Sequence, residues 1–173
     1  MRIAKKAIPT IICLAILAFV ATSCGESPDV GSAVGNLAPE FDLERIDGGQ
    51  LKLSELRGQA VLIDFWDTWC PPCREAMPHL QALSVQYEDE LEVVGVAIGR
   101  DGKAAVAKFV QDRGLTFPVV LIDQQYQTAQ DFGGIQSIPT TILVDGDGII
   151  RHVWVGGQTK HAYEQVIRQV LGT

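Results

Sequence analysis

The hydrophobic positions of the chain form two kinds of stretch that alternate from about residue 60 onward. Short runs rich in β-branched residues predict strands, and stretches with apolar residues at three-and-four spacing predict helices. The strand runs are residues 61–66, 91–98, 118–122 and 140–144. The helical stretches are residues 71–88, 102–113, 124–132 and 159–171. This order predicts an α/β domain with a sheet flanked by helices.

Residues 145–148 read Asp-Gly-Asp-Gly and join the strand at 140–144 to a further strand-like run at 149–155. Aspartate followed by glycine favours tight hairpin turns. We therefore expect these two strands to pair antiparallel, which makes the central sheet mixed. Tyr126, Phe132 and Trp154 are expected in the core.

The N-terminal segment has the order of charged and apolar residues that is typical of an export signal. Three cations among the first six residues precede a 15-residue apolar run, residues 7–21, which is shorter than the roughly 20 residues of a membrane-spanning helix. Small residues then lead into Cys24, an arrangement that resembles the cleavage box of bacterial lipoproteins, with Ala21 where leucine is more usual. We predict a signal over residues 1–23 and acyl chains on Cys24; cleavage without acylation and an uncleaved anchor stay open.

Residues 24–36 are small and polar and include three glycines, a composition typical of a linker. We predict a flexible tether over residues 24–36 and one domain over residues 37–173. An acylated Cys24 would hold this domain at a membrane surface, on the periplasmic or other extracytoplasmic side of the cell envelope.

Composition and charge narrow the classes of partner. The 173 residues are 47% hydrophobic and 20% charged, which is enough to form the core of one domain. The chain has 14 Lys plus Arg against 21 Asp plus Glu, and loss of residues 1–23 with their three cations changes the net charge from -7 to -10. No basic cluster follows the first six residues. We therefore expect no nucleic-acid partner, and we expect a monomer.

Two cysteines lie where a predicted strand passes into a predicted helix. Cys70 and Cys73 are separated by Pro71 and Pro72. The start of a helix offers free N–H groups and a partial positive charge that stabilise a thiolate at Cys70, and the spacing lets the two sulfurs form a disulfide. A Cys-x-x-Cys pair is also half of a zinc site, but the sequence offers no second ligand pair. The pattern favours redox chemistry, with no metal and no organic cofactor.

Residues 65–74, Phe-Trp-Asp-Thr-Trp-Cys-Pro-Pro-Cys-Arg, resemble the active-site segment of membrane-anchored thioredoxin-like oxidoreductases of the TlpA and ResA type. Further similar segments extend this resemblance to about residues 37–171; they are 38–43, 53–58, 117–120 and 138–141. The resemblance implies a thioredoxin-like fold with an added N-terminal hairpin. It also implies that Cys70 attacks a client's disulfide and that Cys73 then releases the reduced client.

The same resemblance implies the partners. Client proteins would carry disulfides, including the haem-attachment cysteines of apocytochromes c, and a transmembrane thiol carrier would return electrons to the enzyme. Two other functions stay open at this point. The segment before residue 60 also resembles peroxiredoxins, although Asp67 stands where they have threonine. A copper- or haem-handling module that uses the cysteine pair as ligands is the second alternative.

Four further residues are assigned to the site. Asp64 lies in an otherwise apolar strand and matches an aspartate of thioredoxin; burial would raise its pKa and let it exchange a proton with Cys73, although a purely structural carboxyl is the alternative. The resemblance implies that Pro139 is a cis-proline that faces the disulfide and docks a substrate strand with Ile138 and Trp69. An ordinary trans proline is the alternative.

Two departures from the family pattern, and the residues between the cysteines, concern the same region. Asp67 stands where alanine or glycine is usual, and Ala76 stands where ResA-type proteins often have a buried glutamate. Pro71 and Pro72 bring no cation and no N–H to the thiolate, so we expect a reductant or mild exchanger and not a strong oxidant.

Overall fold

The computed structural model describes residues 29–173; the predicted signal and Cys24 lie outside them. The strands are β1 Asp42–Glu44, β2 Gln50–Lys52, β3 Ala60–Trp66, β4 Leu91–Ala97, β5 Val119–Leu121, β6 Thr140–Val144 and β7 Ile150–Val155. The helices are α1 Pro71–Gln86, α2 Lys103–Arg113, α3 Gln127–Asp131 and α4 Lys160–Leu171, and a 3-10 turn spans Leu53–Leu56. Each strand and helix predicted from the hydrophobic pattern is confirmed, with ends that differ by three residues or fewer.

The central sheet has the order β5-β4-β3-β6-β7, and β1 and β2 form a separate N-terminal hairpin. β3 is parallel to β4, which is parallel to β5, while β6 is antiparallel to both β3 and β7. The expected mixed sheet and the hairpin between β6 and β7 are therefore confirmed. In this register Asp64 of β3 lies opposite Thr141 of β6, which lies opposite Trp154 of β7.

All seven residues of β3 are buried because the strand is central and both faces of the sheet are covered. Side chains alternate between the faces. Leu62 and Trp66 join the core formed with α1, α2 and α4, which also contains Cys70 and Cys73. Ile63 and its alternate neighbours join the core formed with the N-terminal hairpin and α3. Asp64 therefore lies on the face that carries the two cysteines.

The structure differs from the sequence prediction along the predicted tether. In its described part, residues 29–36, the N–H of Gly35 donates to the carbonyl of Ile150 at 2.8 Å, and the N–H of Ile150 donates to the carbonyl of Asn36 at 2.9 Å. β7 is an edge strand, and its free backbone groups pair with this segment despite the small, polar composition. Residues 29–36 thus lie against the domain, and the division into signal, tether and domain stays a prediction.

Phe132 and Trp154 are buried as expected, but Tyr126 is 46% exposed. The hydrophobic pattern placed Tyr126 inside a helix over residues 124–132, whereas α3 begins only at Gln127. Tyr126 therefore lies in the turn before the helix, where connecting segments run over the surface.

Candidate active site

The two cysteines lie at the start of α1, shortly after β3 ends. Cys70 is the residue before the first helical position, and Cys70 and Cys73 form a disulfide with an S–S distance of 2.08 Å. Pro71 and Pro72 suit the first turn because its N–H groups have no partner within the helix. The N–H of Cys73 donates to Cys70 Sγ at 3.2 Å. The first available amide of the helix is therefore directed at this sulfur.

The disulfide is almost completely buried. Cys73 is fully buried and Cys70 is 2% exposed, whereas the neighbouring Trp69 is 45% exposed. The carbonyl oxygen of Ile138 lies 3.6 Å from Cys70 Sγ and belongs to the loop that covers the pair. In this oxidised form Cys70 therefore offers very little surface to a partner.

The covering loop is held on both sides of Pro139, and the Ile138–Pro139 peptide bond is cis, as the family resemblance implies. Thr140 Oγ1 donates to the carbonyl of Ser137 at 2.8 Å. The N–H of Gly156 donates to the carbonyl of Pro139 at the same distance. These bonds fix the loop against the end of β7 and place the Ile138 carbonyl beside the disulfide.

A groove of about 320 Å³ lies next to this loop. Its walls are mostly apolar, and Trp69, Arg100 and Ile138 are among the residues that line it. The Arg100 guanidinium lies over the Trp69 ring, with Cζ 5.2 Å from the ring centroid. The groove therefore presents an aromatic wall and one cation beside the cysteine pair.

Asp67 connects the ends of two neighbouring strands. It is fully buried, its Oδ1 accepts the N–H of Thr68 at 2.7 Å, and its Oδ2 accepts the N–H of Arg100 at 3.1 Å. Its carbonyl also accepts the N–H of Cys70 at 3.2 Å. Asp67 thus joins the loop after β4 to the segment that carries the cysteines.

Asp64 is fully buried beneath the site. Its Oδ1 accepts a hydrogen bond from Thr141 Oγ1 at 2.7 Å, and Oδ2 has no hydrogen-bond partner among the described residues. Burial raises the pKa of Asp64 to about 7, and the Thr141 hydrogen bond opposes this shift. At neutral pH Asp64 is therefore present in both its acid and its carboxylate forms.

The comparisons with known proteins agree with this geometry. The model of the AhpC/TSA family matches residues 34–153. The chain is 32% identical over 170 residues to the thiol-disulfide oxidoreductase ResA of Geobacillus thermodenitrificans, covering 98% of this chain and 96% of that protein. The chain belongs to the AhpC/TSA family and is a ResA-type thiol-disulfide oxidoreductase. It is also 39% identical over 139 residues to the thioredoxin-like protein YneN of Bacillus subtilis, covering 79% of this chain and 80% of that protein.

The crystal structure of a thioredoxin-family thiol:disulfide interchange protein from Chlorobium tepidum TLS gives a TM-score of 0.72 at 26% identity, covering 83% of this chain and 99% of that chain. The expected thioredoxin-like fold of this ResA-type oxidoreductase is thereby confirmed. None of the helices within residues 29–173 is long and apolar enough to cross a membrane.

The structure brings most of the predicted site residues of this ResA-type oxidoreductase together. Trp69, Ile138 and the cis-proline border the cysteine pair, Asp64 lies in the layer on the same face of the sheet, and Cys24 lies outside the described residues. Thr141, Tyr163 and Arg100 were not predicted from the sequence. The signal for Thr141 was its position two residues after Pro139, whereas nothing in the sequence pattern marks Tyr163 or Arg100.

Proposed function

We propose that this oxidoreductase reduces disulfides of client proteins, with Cys70 as the attacking residue and Cys73 as the resolving residue. The observation that carries the proposal is the position of Cys70 Sγ at the start of α1. There it accepts the N–H of Cys73 and lies beside the groove and the cis-proline loop. A thiolate at Cys70 would be stabilised by this amide and by the partial positive charge of the helix start.

The reaction transfers two electrons from the enzyme to the client. The Cys70 thiolate attacks one sulfur of the client disulfide; a mixed disulfide forms, and the other client sulfur leaves as a thiolate. Cys73 loses its proton and attacks Cys70 Sγ, which forms the Cys70–Cys73 disulfide and releases the second client thiolate. The two client thiolates then take up protons. A thiol donor must reduce the enzyme before the next cycle.

Asp64 accepts the proton of Cys73 in this scheme. Its support is the location of both side chains on one face of the sheet and the raised pKa, since a general base is most effective when its pKa is near the working pH. The acceptor atom is Oδ2 of Asp64, which has no hydrogen-bond partner within residues 29–173.

Trp69, Ile138 and Pro139 dock the client. Pro139 has no N–H, and the Ile138 carbonyl lies 3.6 Å from Cys70 Sγ. An extended client segment would run along this loop with its cysteine over Cys70. Side chains next to that cysteine would enter the groove beside Trp69.

The location and the partners rest on the sequence. The proposed signal over residues 1–23, acylation of Cys24 and a short tether place the enzyme at a membrane on the extracytoplasmic side of the cell envelope. Apocytochromes c are the proposed clients and a transmembrane thiol carrier is the proposed donor. Radiolabelled palmitate should label the full chain and not Cys24→Ala; labelling of both, or of neither, would contradict this anchor.

The variant Cys73→Ala tests the proposed reaction because it stops the cycle at the mixed disulfide. The probe is a peptide with an oxidised Cys-x-x-Cys-His sequence, and the control is the same peptide with both cysteines alkylated. We expect one covalent adduct per protein, formed through Cys70 and reversed by dithiothreitol. The double variant Cys70→Ala and Cys73→Ala should form none. Absence of the adduct, or an adduct on another residue, would contradict the proposal.

A further inference from the structure

A buried polar chain crosses two strands and one helix beneath the active site. Asp64 on β3, Thr141 on β6 and Tyr163 on α4 are all fully buried. Thr141 Oγ1 lies 2.7 Å from Asp64 Oδ1 and 3.0 Å from the hydroxyl oxygen of Tyr163. Asp64 and Thr141 are directly opposite each other across the ladder, so the first contact is built into the register of the sheet.

The direction of the two hydrogen bonds follows from the number of protons available. Thr141 has one hydroxyl proton, and it donates this proton to Asp64 because an ionised carboxylate can only accept. The oxygen of Thr141 then accepts the proton of Tyr163. Burial raises the pKa of Tyr163 to about 12, and the charge of Asp64 acts in the same direction. Tyr163 therefore stays a donor throughout the pH range in which Asp64 titrates.

The two oxygens of Asp64 are unequal as a result. Oδ1 is occupied by Thr141, whereas Oδ2 is buried with no hydrogen-bond partner among residues 29–173. An exchangeable proton therefore binds at Oδ2. A second donor to Oδ2 would favour the carboxylate further and reduce its value as a base.

We propose that Thr141, oriented by Tyr163, is a positioning residue that stabilises the ionised form of Asp64 through Oδ1 and leaves Oδ2 free to exchange a proton. The consequence for turnover rests on the proposed role of Asp64 as the base for Cys73. The effect on the ionisation of Asp64 does not depend on that role.

The groups on the same face of the sheet as Asp64 come from four elements. α1 contributes Cys73, β6 contributes Thr141, α4 contributes Tyr163, and β3 itself contributes Trp66, whose Nε1 has no hydrogen-bond partner among residues 29–173. From β7, Trp154 packs edge-on against the Tyr163 ring at 5.0 Å, and His152 packs on Trp154 at 4.3 Å. Within the described residues, burial raises the pKa of Asp64 and the Thr141 hydrogen bond lowers it.

The test is a titration of Asp64 in the oxidised full chain by carbon-13 NMR of labelled aspartate carboxyls, with Asp64→Asn used to assign the signal. Removing the hydroxyl in Thr141→Val should raise the titration midpoint by about one to two pH units, since hydrogen bonds to charged groups are strong. Tyr163→Phe should raise it by less, because it removes only the second bond. Thr141→Ser retains the hydroxyl, so the titration midpoint of Asp64 should equal that of the unmodified chain.

Thr140→Val is the matched control, because the hydroxyl of Thr140 donates to the Ser137 carbonyl and not to Asp64. It should leave the midpoint unchanged. A midpoint that does not move in Thr141→Val overturns the inference, and if that variant does not fold, an unmoved midpoint in Tyr163→Phe overturns it.

The pH profile of mixed-disulfide resolution then separates the two proposals. If Asp64 is the base, the profile of Thr141→Val moves upward by the same amount as the midpoint. The rate below the midpoint then falls about tenfold per pH unit of displacement. A moved midpoint with an unmoved rate profile supports the inference about Thr141 and contradicts the proposed role of Asp64.

Discussion

Asp64 and Asp67 are three residues apart, and both are fully buried, yet their surroundings differ. Asp67 accepts two backbone N–H groups, one on each carboxylate oxygen. Asp64 accepts one hydroxyl, and its second oxygen has no partner among the described residues. The comparison shows that burial alone does not decide the role of an aspartate. The hydrogen-bond donors around the carboxylate decide whether it links backbone segments or exchanges a proton.

The backbone explains the difference. Asp64 lies inside β3, where neighbouring N–H groups are used by the ladders to β4 and β6. Asp67 follows the strand, where the amides of Thr68 and Arg100 are free to bind a side chain. A side-chain hydroxyl donates to Asp64 instead, and the register supplies the one on Thr141.

The largest expected effect concerns the rate. Asp64→Asn removes the base for Cys73, so release of the client from the mixed disulfide should slow by about a hundredfold or more at pH 7. Asp67→Asn should keep the pH dependence of the unmodified chain, because its oxygen still accepts a backbone N–H. Rapid-mixing measurement of client release checks both. Equal pH profiles for the unmodified chain and Asp64→Asn would contradict the proposed base.

Asp64 should make the stability of the domain depend on pH. Its pKa of about 7 in the folded state lies above the ordinary 3.8, so the favourable contribution is complete below pH 3.8 and is lost as the pH rises to about 7. The free energy of unfolding should therefore fall by an amount on the order of 4 kcal/mol across this window. Asp64→Asn should remove this dependence, and at pH 8 its free energy of unfolding should be higher than that of the unmodified chain. Urea unfolding of both oxidised proteins at several pH values measures the free energy of unfolding. A difference between the two proteins that does not change with pH would contradict the prediction.

Asp67→Ala should lower the stability at neutral pH, whereas Asp64→Asn should raise it above pH 7. Two partly buried backbone N–H groups lose their acceptor, so we expect the free energy of unfolding to fall by about 2 kcal/mol. Asp67→Asn, which retains one acceptor oxygen, should lose less. Urea unfolding at pH 7 provides the measurement. A variant as stable as the unmodified chain would show that Asp67 does not join the two strand ends as described.

The smallest effect is expected at Arg100. Asp67 contacts its backbone N–H, so Arg100→Ala should retain that bond and lose only the contact of the guanidinium with Trp69. This contact is worth about 0.5 to 1 kcal/mol at an exposed site. Arg100→Lys should lose less than Arg100→Ala in the same unfolding experiment. A loss as large as that of Asp67→Ala would instead assign the link to the side chain.

The sequence allowed much of this to be predicted. From about residue 60 onward hydrophobic periodicity was sufficient for the strands and helices, because local pattern and burial agree along most of that stretch. Cys70 and Cys73 were marked by their spacing, and Asp64 was marked as a charge in an apolar strand. These predictions thus concern features that a short stretch of sequence contains.

The contacts between distant segments could not be predicted in this way. Tyr163 is 22 residues from Thr141, which is 77 residues from Asp64, and only the register of β6 and the packing of α4 bring the three together. The position of residues 29–36 against β7 depends similarly on a sheet edge that the composition of the segment does not reveal.

The most direct test of the proposed cycle is the alkylation of the reduced protein by iodoacetamide as a function of pH, with the modified cysteine identified by mass spectrometry. A thiolate stabilised at the start of α1 predicts that Cys70 reacts well before Cys73, with a midpoint below the ordinary cysteine pKa of about 8.5. A Cys70 that is inert at pH 7, or no faster than Cys73, would contradict the assignment of Cys70 as the nucleophile.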